Sequence, residues 1–163
     1  MLNIVLIEPE IPQNAGNILR TAMATNSKVY MIKPLGFTID DKHFKRAGMD
    51  YLKNANFEVV DSFDELYNKN NDKKFYFAST KAVHCYSDVA YPDDCFIVFG
   101  KESFGIRESL LKKHYNDCIR IPMDEKARSL NLSNSVAIVI YEALRQNKFC
   151  NLQEEGKLTG RID

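Results

Sequence analysis

The sequence predicts an α/β fold, a mostly parallel sheet with helices on both faces, and three observations carry that expectation. Short apolar runs recur at 2–7, 29–32, 57–60, 75–78, 95–99 and 118–121. Strands of a parallel sheet are buried on both faces, so they read as continuous hydrophobic runs instead of alternating ones. Segments of helical spacing lie between several of these runs, and strands alternating with helices indicate a covered parallel sheet. The 163 residues contain no internal repeat, low-complexity tract or linker, which fits one domain over 1–163 with a frayed tail from about residue 150, most plainly over 156–163.

Taken in order, the first strand is stopped by Glu8, Pro9 and Pro12, and helical spacing begins at Asn14 with Ile18, Ala22 and Thr25. Pro34 and Gly36 close the second strand, and a short polar helix is expected over 41–46. Asp61 or Ser62 can cap the helix that carries Phe63, Leu66 and Tyr67, since either side-chain oxygen can accept an orphan amide hydrogen bond. The strand over 95–99 ends at Gly100, a short helix is expected over 109–115, and the strand over 118–121 stops at Pro122. The last helix begins after Leu132 and holds Val136, Val139, Ile140, Ala143 and Leu144 on one face, with Ser133 as its expected cap and Leu132 as a hydrophobic staple.

Composition narrows the function. Lys plus Arg and Asp plus Glu both count 22, so the formal net charge is zero, which disfavours a protein that holds nucleic acid by bulk electrostatics alone. A local basic patch, or a small neutral substrate, fits equally well. Cys85, Cys95, Cys118 and Cys150 lack the spacing of a zinc knuckle or redox pair and read as reduced structural thiols. The first residues have no basic region ahead of a short apolar run, and no stretch approaches the roughly 18 to 20 apolar residues of a membrane span. A cytoplasmic protein without membrane association or metal is the expectation.

In open parallel sheets ligands sit beyond the carboxyl ends of the strands, so the loops there hold the chemistry. Three segments stand out. In Glu8–Arg20, two prolines stiffen a loop, Gly16 permits close approach, and Asn14, Asn17 and Arg20 are spaced to share a helix face. Arg20 could grip a phosphate or polarise a hydroxyl, although an Asn cap beside a surface arginine explains the spacing as well. In Phe99–Ile106, Gly100 and Gly105 bracket a tight turn that matches neither a dinucleotide fingerprint nor a P-loop, and a purely structural turn is the plainer reading. In Ile121–Val136, Ser129, Asn131, Ser133 and Asn134 crowd a helix entrance that needs one cap, leaving polar groups for neighbouring loops or a ligand. Without further information, a nucleotide enzyme with a small-molecule substrate would rank first.

The combination of motifs changes that ranking. Asn14-x-Gly16-Asn17-x-x-Arg20, then Phe99-Gly100-x-Glu102-x-x-Gly105, then Arg120-Ile121-Pro122-Met123 through Arg128-Ser129-Leu130-Asn131-Leu132-Ser133-Asn134 resemble the SPOUT superfamily of RNA methyltransferases. Within it, the likeness is to the small tRNA 2′-O-methyltransferases of the TrmL (YibK-like) type. It includes Tyr141-Glu142-Ala143-x-Arg145-Gln146 and runs in order from residue 1 to about 148.

The resemblance implies a C-terminal deep trefoil knot, a homodimer with the site near its interface, and S-adenosylmethionine held mainly by backbone around Ala78, Gly100, Ile121, Ser129 and Leu130. The implied reaction is direct methyl transfer to the ribose 2′-hydroxyl of nucleotide 34 in a tRNA anticodon loop, a cytidine or modified uridine. It needs neither a metal nor a covalent intermediate, because the donor carries its own leaving group. Arg20 is the implied catalytic residue, acting by position and charge since a guanidinium is a poor base. Glu102 would organise the second loop and the arginine. Asn14, Asn131 and Ser133 would hold Arg20, the loop or the target nucleotide.

For RNA, the candidate grips are Arg20, Lys42, His43, Lys45, Arg46, Lys101, Arg107 and Arg128, of which only 42–46 is dense. Such contacts position a phosphate backbone without reading bases. Two positions depart from the family pattern: Phe104 stands where relatives usually carry a polar or small residue, and Arg107 replaces a common proline. Phe104 could stack on the target base or pack on a partner subunit. The rival readings are another tRNA or rRNA position, and a non-catalytic knotted RNA-binding factor.

Overall fold

The computed structural model describes residues 1–48 and 55–158, with Lys45, Ala47 and Gly48 described as backbone only. Residues 159–163 of the expected tail, and the side chain of Lys45, therefore lie outside the described residues.

The chain runs β1 (Asn3–Ile7), α1 (Pro12–Ala24), β2 (Lys28–Ile32), α2 (Lys42–Gly48), β3 (Phe57–Val60), α3 (Phe63–Lys69), β4 (Phe75–Ala78), β5 (His84–Cys85), β6 (Phe96–Phe99), α4 (Glu108–Lys113), β7 (Cys118–Arg120) and α5 (Leu132–Gln146). The strands form one sheet in the order β3-β2-β1-β6-β4-β7-β5, and every adjacent pair is parallel. The six apolar runs are all strands. The two-residue β5 escaped notice because His84 and Cys85 sit at the sheet edge, exposed and half-buried, with no apolar run to mark them.

Central strands show why continuous apolar runs were needed. All five residues of β1 and all four of β6 are buried. Ile4, Leu6, Ile97 and Phe99 face a core closed by Ile18 and Leu19 of α1, Phe44 of α2, and Val136, Val139 and Ile140 of α5. Val5, Val98 and Phe77 face a second core closed by Leu66 of α3 and Leu111 of α4. Helices thus cover both faces.

Helix boundaries differ from the sequence reading in four places, the first being α2, expected over 41–46 and found over Lys42–Gly48. Helix α1 starts at Pro12 rather than Asn14, with proline in the first turn, where its missing N–H has no intrahelical partner to lose. Helix α4 ends at Lys113, and a 3₁₀ turn over Tyr115–Asp117 takes up the rest. The cap of α5 is Asn131, whose side chain accepts from the amides of Ser133 and Asn134, so Ser133 lies inside the helix. Ser62, not Asp61, caps α3, accepting from the Glu65 amide at 3.2 Å. Beyond α5, Phe149 and Leu152 still pack on the first core, so the irregular tail starts later than residue 150.

Register aligns the carboxyl ends that matter. Leu6 pairs with Phe99, Phe99 with Ala78, and Ala78 with Ile119. The loops following β1, β6, β4 and β7 therefore leave the sheet side by side, although they come from four distant parts of the sequence. Among the described residues, no helix is long and apolar enough to cross a membrane.

All four cysteines are free, with Cys95 and Cys118 buried, Cys85 half-buried and Cys150 exposed. Burial pushes the Cys95 thiol up to about 12, which keeps it protonated and unreactive at neutral pH. A thiol reagent at pH 8 should modify Cys150 first and Cys85 more slowly, with Cys95 and Cys118 reacting only on unfolding. Four equal rates in the native protein would contradict this packing.

Candidate active site

The loops after β1 and β6 are neighbours because their strands are, and they are joined by complementary side chains. Glu8 takes a bond from Lys101 Nζ at 3.2 Å and one from Arg107 Nη2 at 2.6 Å. Glu10 accepts from the Ser103 amide and hydroxyl, each at 2.9 Å. The Ser103 hydroxyl and then its amide hold the Glu10 carboxyl below its ordinary range, so it stays ionised at neutral pH. These partners alternate along both loops, Glu8 and Glu10 on one, Lys101 and Ser103 on the other.

Glu102 reaches the opposite way. Its carboxylate accepts from the amides of Glu10 and Ile11, at 2.9 and 3.2 Å, and from Asn14 Nδ2 at 3.0 Å. Helix α1 has no cap of its own, since Ile11 offers no side-chain oxygen. The Glu102 carboxylate, from ninety residues downstream, satisfies the amide of Ile11 instead and sets negative charge where the helix dipole favours it. Asn14 is buried, and its Oδ1 accepts from Asn131 Nδ2 at 3.0 Å. The Asn131 Oδ1 then accepts from the amides of Ser133 and Asn134 and from the Ser133 hydroxyl, at 2.9, 3.3 and 2.7 Å.

Glu102, Asn14, Asn131 and Ser133 therefore form one continuous hydrogen-bond chain. It links the loop after β6, the start of α1 and the start of α5. Each asparagine acts as donor on one side and acceptor on the other, which suits an amide and no other uncharged side chain of that length.

Beside this chain lies a cavity of about 500 Å³, within the size range of small-molecule sites. Ala78, Gly100, Ile121, Ser129 and Leu130, drawn from three loops, all line it, as do Asn14, Glu102 and Asn131. Gly100 is required here: a Cβ at this position would lie 2.2 Å from the backbone of Gly105 and Ile106, across the turn closed by the Gly105 amide on the Lys101 carbonyl. Gly105 itself adopts a positive φ of 72°, which glycine accepts without strain.

Other site candidates lie elsewhere. Asn14, Asn17 and Arg20 do not share an environment: Asn14 is buried, while Asn17 and Arg20 are exposed, because each step of three residues turns about 60° around the helix. Arg20 and Ser133 are not among the residues lining the cavity. Arg128 and Lys101 line it. Lys42, His43 and Arg46 are exposed on α2, which is anchored by the fully buried Phe44; His43 bonds to Asp41 through its amide and ring nitrogen. Arg107 is engaged by Glu8. Sequence reasoning missed Glu8 and Glu10 as clasp residues and Thr80, Lys81 and Met123 as lining. Their signal was strand adjacency, which one sequence does not display. Among the described residues, no group of three or more His, Cys, Asp and Glu is arranged to hold a metal ion.

Comparison with known proteins places the chain among RNA-modifying enzymes. Residues 1–141 match the SpoU rRNA methylase family. A Listeria monocytogenes serotype 4b protein is 49% identical, the match covering 98% of this chain and 96% of the relative. The tRNA (cytidine(34)-2′-O)-methyltransferase of Escherichia coli K12 is 41% identical over 90% of this chain and 94% of its own. A solved structure described for 2-OH methylation of C/U34 on tRNA superposes with a TM-score of 0.87 at 36% identity, covering 91% of this chain and 97% of that one.

Replacing Asn14 or Asn131 with alanine should each cost about 1–2 kcal/mol, through a severed cap or an unpaired buried amide. Because both side chains serve one bond, the double variant should cost less than the sum by at least about 0.5 kcal/mol in chemical denaturation. Strict additivity would mean that the chain is not a connected unit.

Proposed function

The chain belongs to the SpoU rRNA methylase family, and from that premise we propose that it transfers a methyl group from S-adenosylmethionine to the ribose 2′-hydroxyl of nucleotide 34, a cytidine or modified uridine, in the tRNA anticodon loop. One observation carries the reading. The five positions assigned to the donor by resemblance, Ala78, Gly100, Ile121, Ser129 and Leu130, line one cavity with Asn14, Glu102 and Asn131.

The residues present fit that donor. Ile119, Ile121, Leu130 and Val139 give apolar wall for a purine, and the loops after β4, β6 and β7 bring peptide groups to the same space. When bound, the donor supplies a methyl carbon on a positively charged sulfur that departs as a neutral thioether. The task left to the protein is alignment, which can contribute several kcal/mol, and help for a weakly acidic hydroxyl.

Glu102 is a positioning residue in this reading. Both its oxygens are already engaged by three donors, so it fixes the start of α1 and leaves proton transfer to other groups. Asn14 and Asn131 carry that position across to the loop over 121–131, and Ser133 completes the series. Arg20 acts on the ribose hydroxyl or the neighbouring phosphate by charge and geometry. Its place on the exposed face of α1, outside the lining of its own cavity, is the reason a homodimer belongs in the proposal: pairing through α1 would let one copy's Arg20 serve the other's cavity.

Arg128 at the cavity, with Lys42, His43, Lys45 and Arg46 on α2, would hold RNA phosphates, while Lys101 and Arg107 are engaged by Glu8 in joining the loops. The implied knot would lie in the C-terminal section, where β6 runs between β1 and β4 and β7 between β4 and β5. The whole chain would then work as one cytoplasmic domain. The family description names rRNA, which keeps ribosomal RNA as the second reading.

Methyl transfer to native and unmodified tRNA pools, followed by mass-spectrometric mapping, tests the substrate. The expected product is a 2′-O-methyl group at nucleotide 34; methylation of rRNA alone would favour the second reading. Arg20→Ala should lower turnover by about a hundredfold or more while donor affinity stays close to that of the unaltered protein. Full activity in that variant would remove Arg20 from the mechanism.

A further inference from the structure

Phe104 is 67% exposed, the largest exposure of any aromatic side chain among the exposed large hydrophobics. Among the described residues it stacks on no other ring, and it belongs to neither core. A large apolar side chain left in water is ordinary when its segment is loose. Here the segment is held on both sides.

Ser103, immediately before it, is bonded twice to Glu10, and Gly105, immediately after it, closes back on Lys101 at 2.9 Å. The positive φ of Gly105 fixes the turn, and Gly100 packs against its inner side. Phe104 is thereby presented on a braced turn, not by a freely moving tip. It also lines the mouth of the cavity described above, in company with Lys101 and Arg128, and Arg128 makes no ion pair among the described residues.

We propose that Phe104 is the platform on which the base of the target nucleotide stacks while its ribose enters the cavity. The inference rests on the methyl-transfer reading above and adds the contact that holds the target base. An unstacked base in a single-stranded loop offers a π-face, an aromatic side chain is its usual support, and neighbouring cations take the phosphates. Because the turn is already ordered, little conformational freedom is lost on binding. Every base has a π-face, so such a platform accepts cytidine and uridine alike and leaves the choice of nucleotide to the reach of the ribose.

The chain contains no tryptophan, so Phe104→Trp places a single, selectively excitable tryptophan at the platform. The probe is an anticodon stem-loop RNA with cytidine at position 34, compared with the same RNA abasic at that position. Emission of Phe104→Trp should be quenched by the first and not by the second. Phe104→Ala should raise KM for the RNA about tenfold or more, with donor affinity unchanged, and Phe104→Tyr should recover most of that loss.

Equal quenching by both RNAs, or unchanged KM in Phe104→Ala, would overturn the proposal. So would Trp emission that follows protein concentration and ignores RNA, because Phe104 would then pack against a second copy. If the unaltered protein methylates no stem-loop or tRNA at all, the functional reading itself fails, and that outcome is separate from the others.

Discussion

The interaction between Glu102 and the start of α1 holds the rest of the site in place. A helix that begins with Ile11 and Pro12 has amide groups to satisfy and no local side chain to satisfy them. The carboxylate that does so arrives from the loop after β6, and it spends its remaining capacity on Asn14. Asn14 in turn fixes Asn131, and Asn131 starts α5. Removing any member leaves a polar group of the next without its partner, so three loops from opposite ends of the sequence share one geometry.

That coupling suits a reaction in which the protein offers little covalent chemistry. Methyl transfer depends on the line formed by the attacking oxygen, the carbon and the departing sulfur, and small displacements of the supporting groups weaken it steeply. The clasp formed by Glu8 and Glu10 with Lys101, Ser103 and Arg107 braces the same loops from the other side. Charged side chains that a census of composition would count toward RNA binding are here engaged in joining loops. A net charge of zero is consistent with that division of labour, because part of the basic residues serve the fold and only some remain for phosphates.

Much of this was legible in the sequence. Six of the seven strands announced themselves as apolar runs because a parallel sheet buries both faces, and the polar crowding at 129–134 marked the entrance to α5. The seventh strand, with two residues at an edge, left no such trace. Ser133 was expected to cap α5 because serine and asparagine are nearly equivalent caps, and Asn131 is distinguished by accepting from the amides of Ser133 and Asn134. The shared face expected for Asn14, Asn17 and Arg20 failed for a geometric reason: a three-residue spacing drifts around a helix, so the first side chain turned inward and the last outward. The pairing of Glu8 and Glu10 with the loop after β6 was hidden altogether, since it depends on β1 and β6 being neighbours although ninety residues separate them. Order in a sheet is a property of the fold, and no local pattern encodes it.

The central claim is that the loops tied together by Glu102, Asn14 and Asn131 enclose the place where the methyl donor binds. A crystal structure with S-adenosylhomocysteine tests it most directly. The expected result is the ligand between Gly100, Ile121 and Leu130, with the hydrogen bonds linking Glu102, Asn14 and Asn131 intact beside it. Density for the ligand at any other place on the molecule, with this cavity empty, would contradict the account.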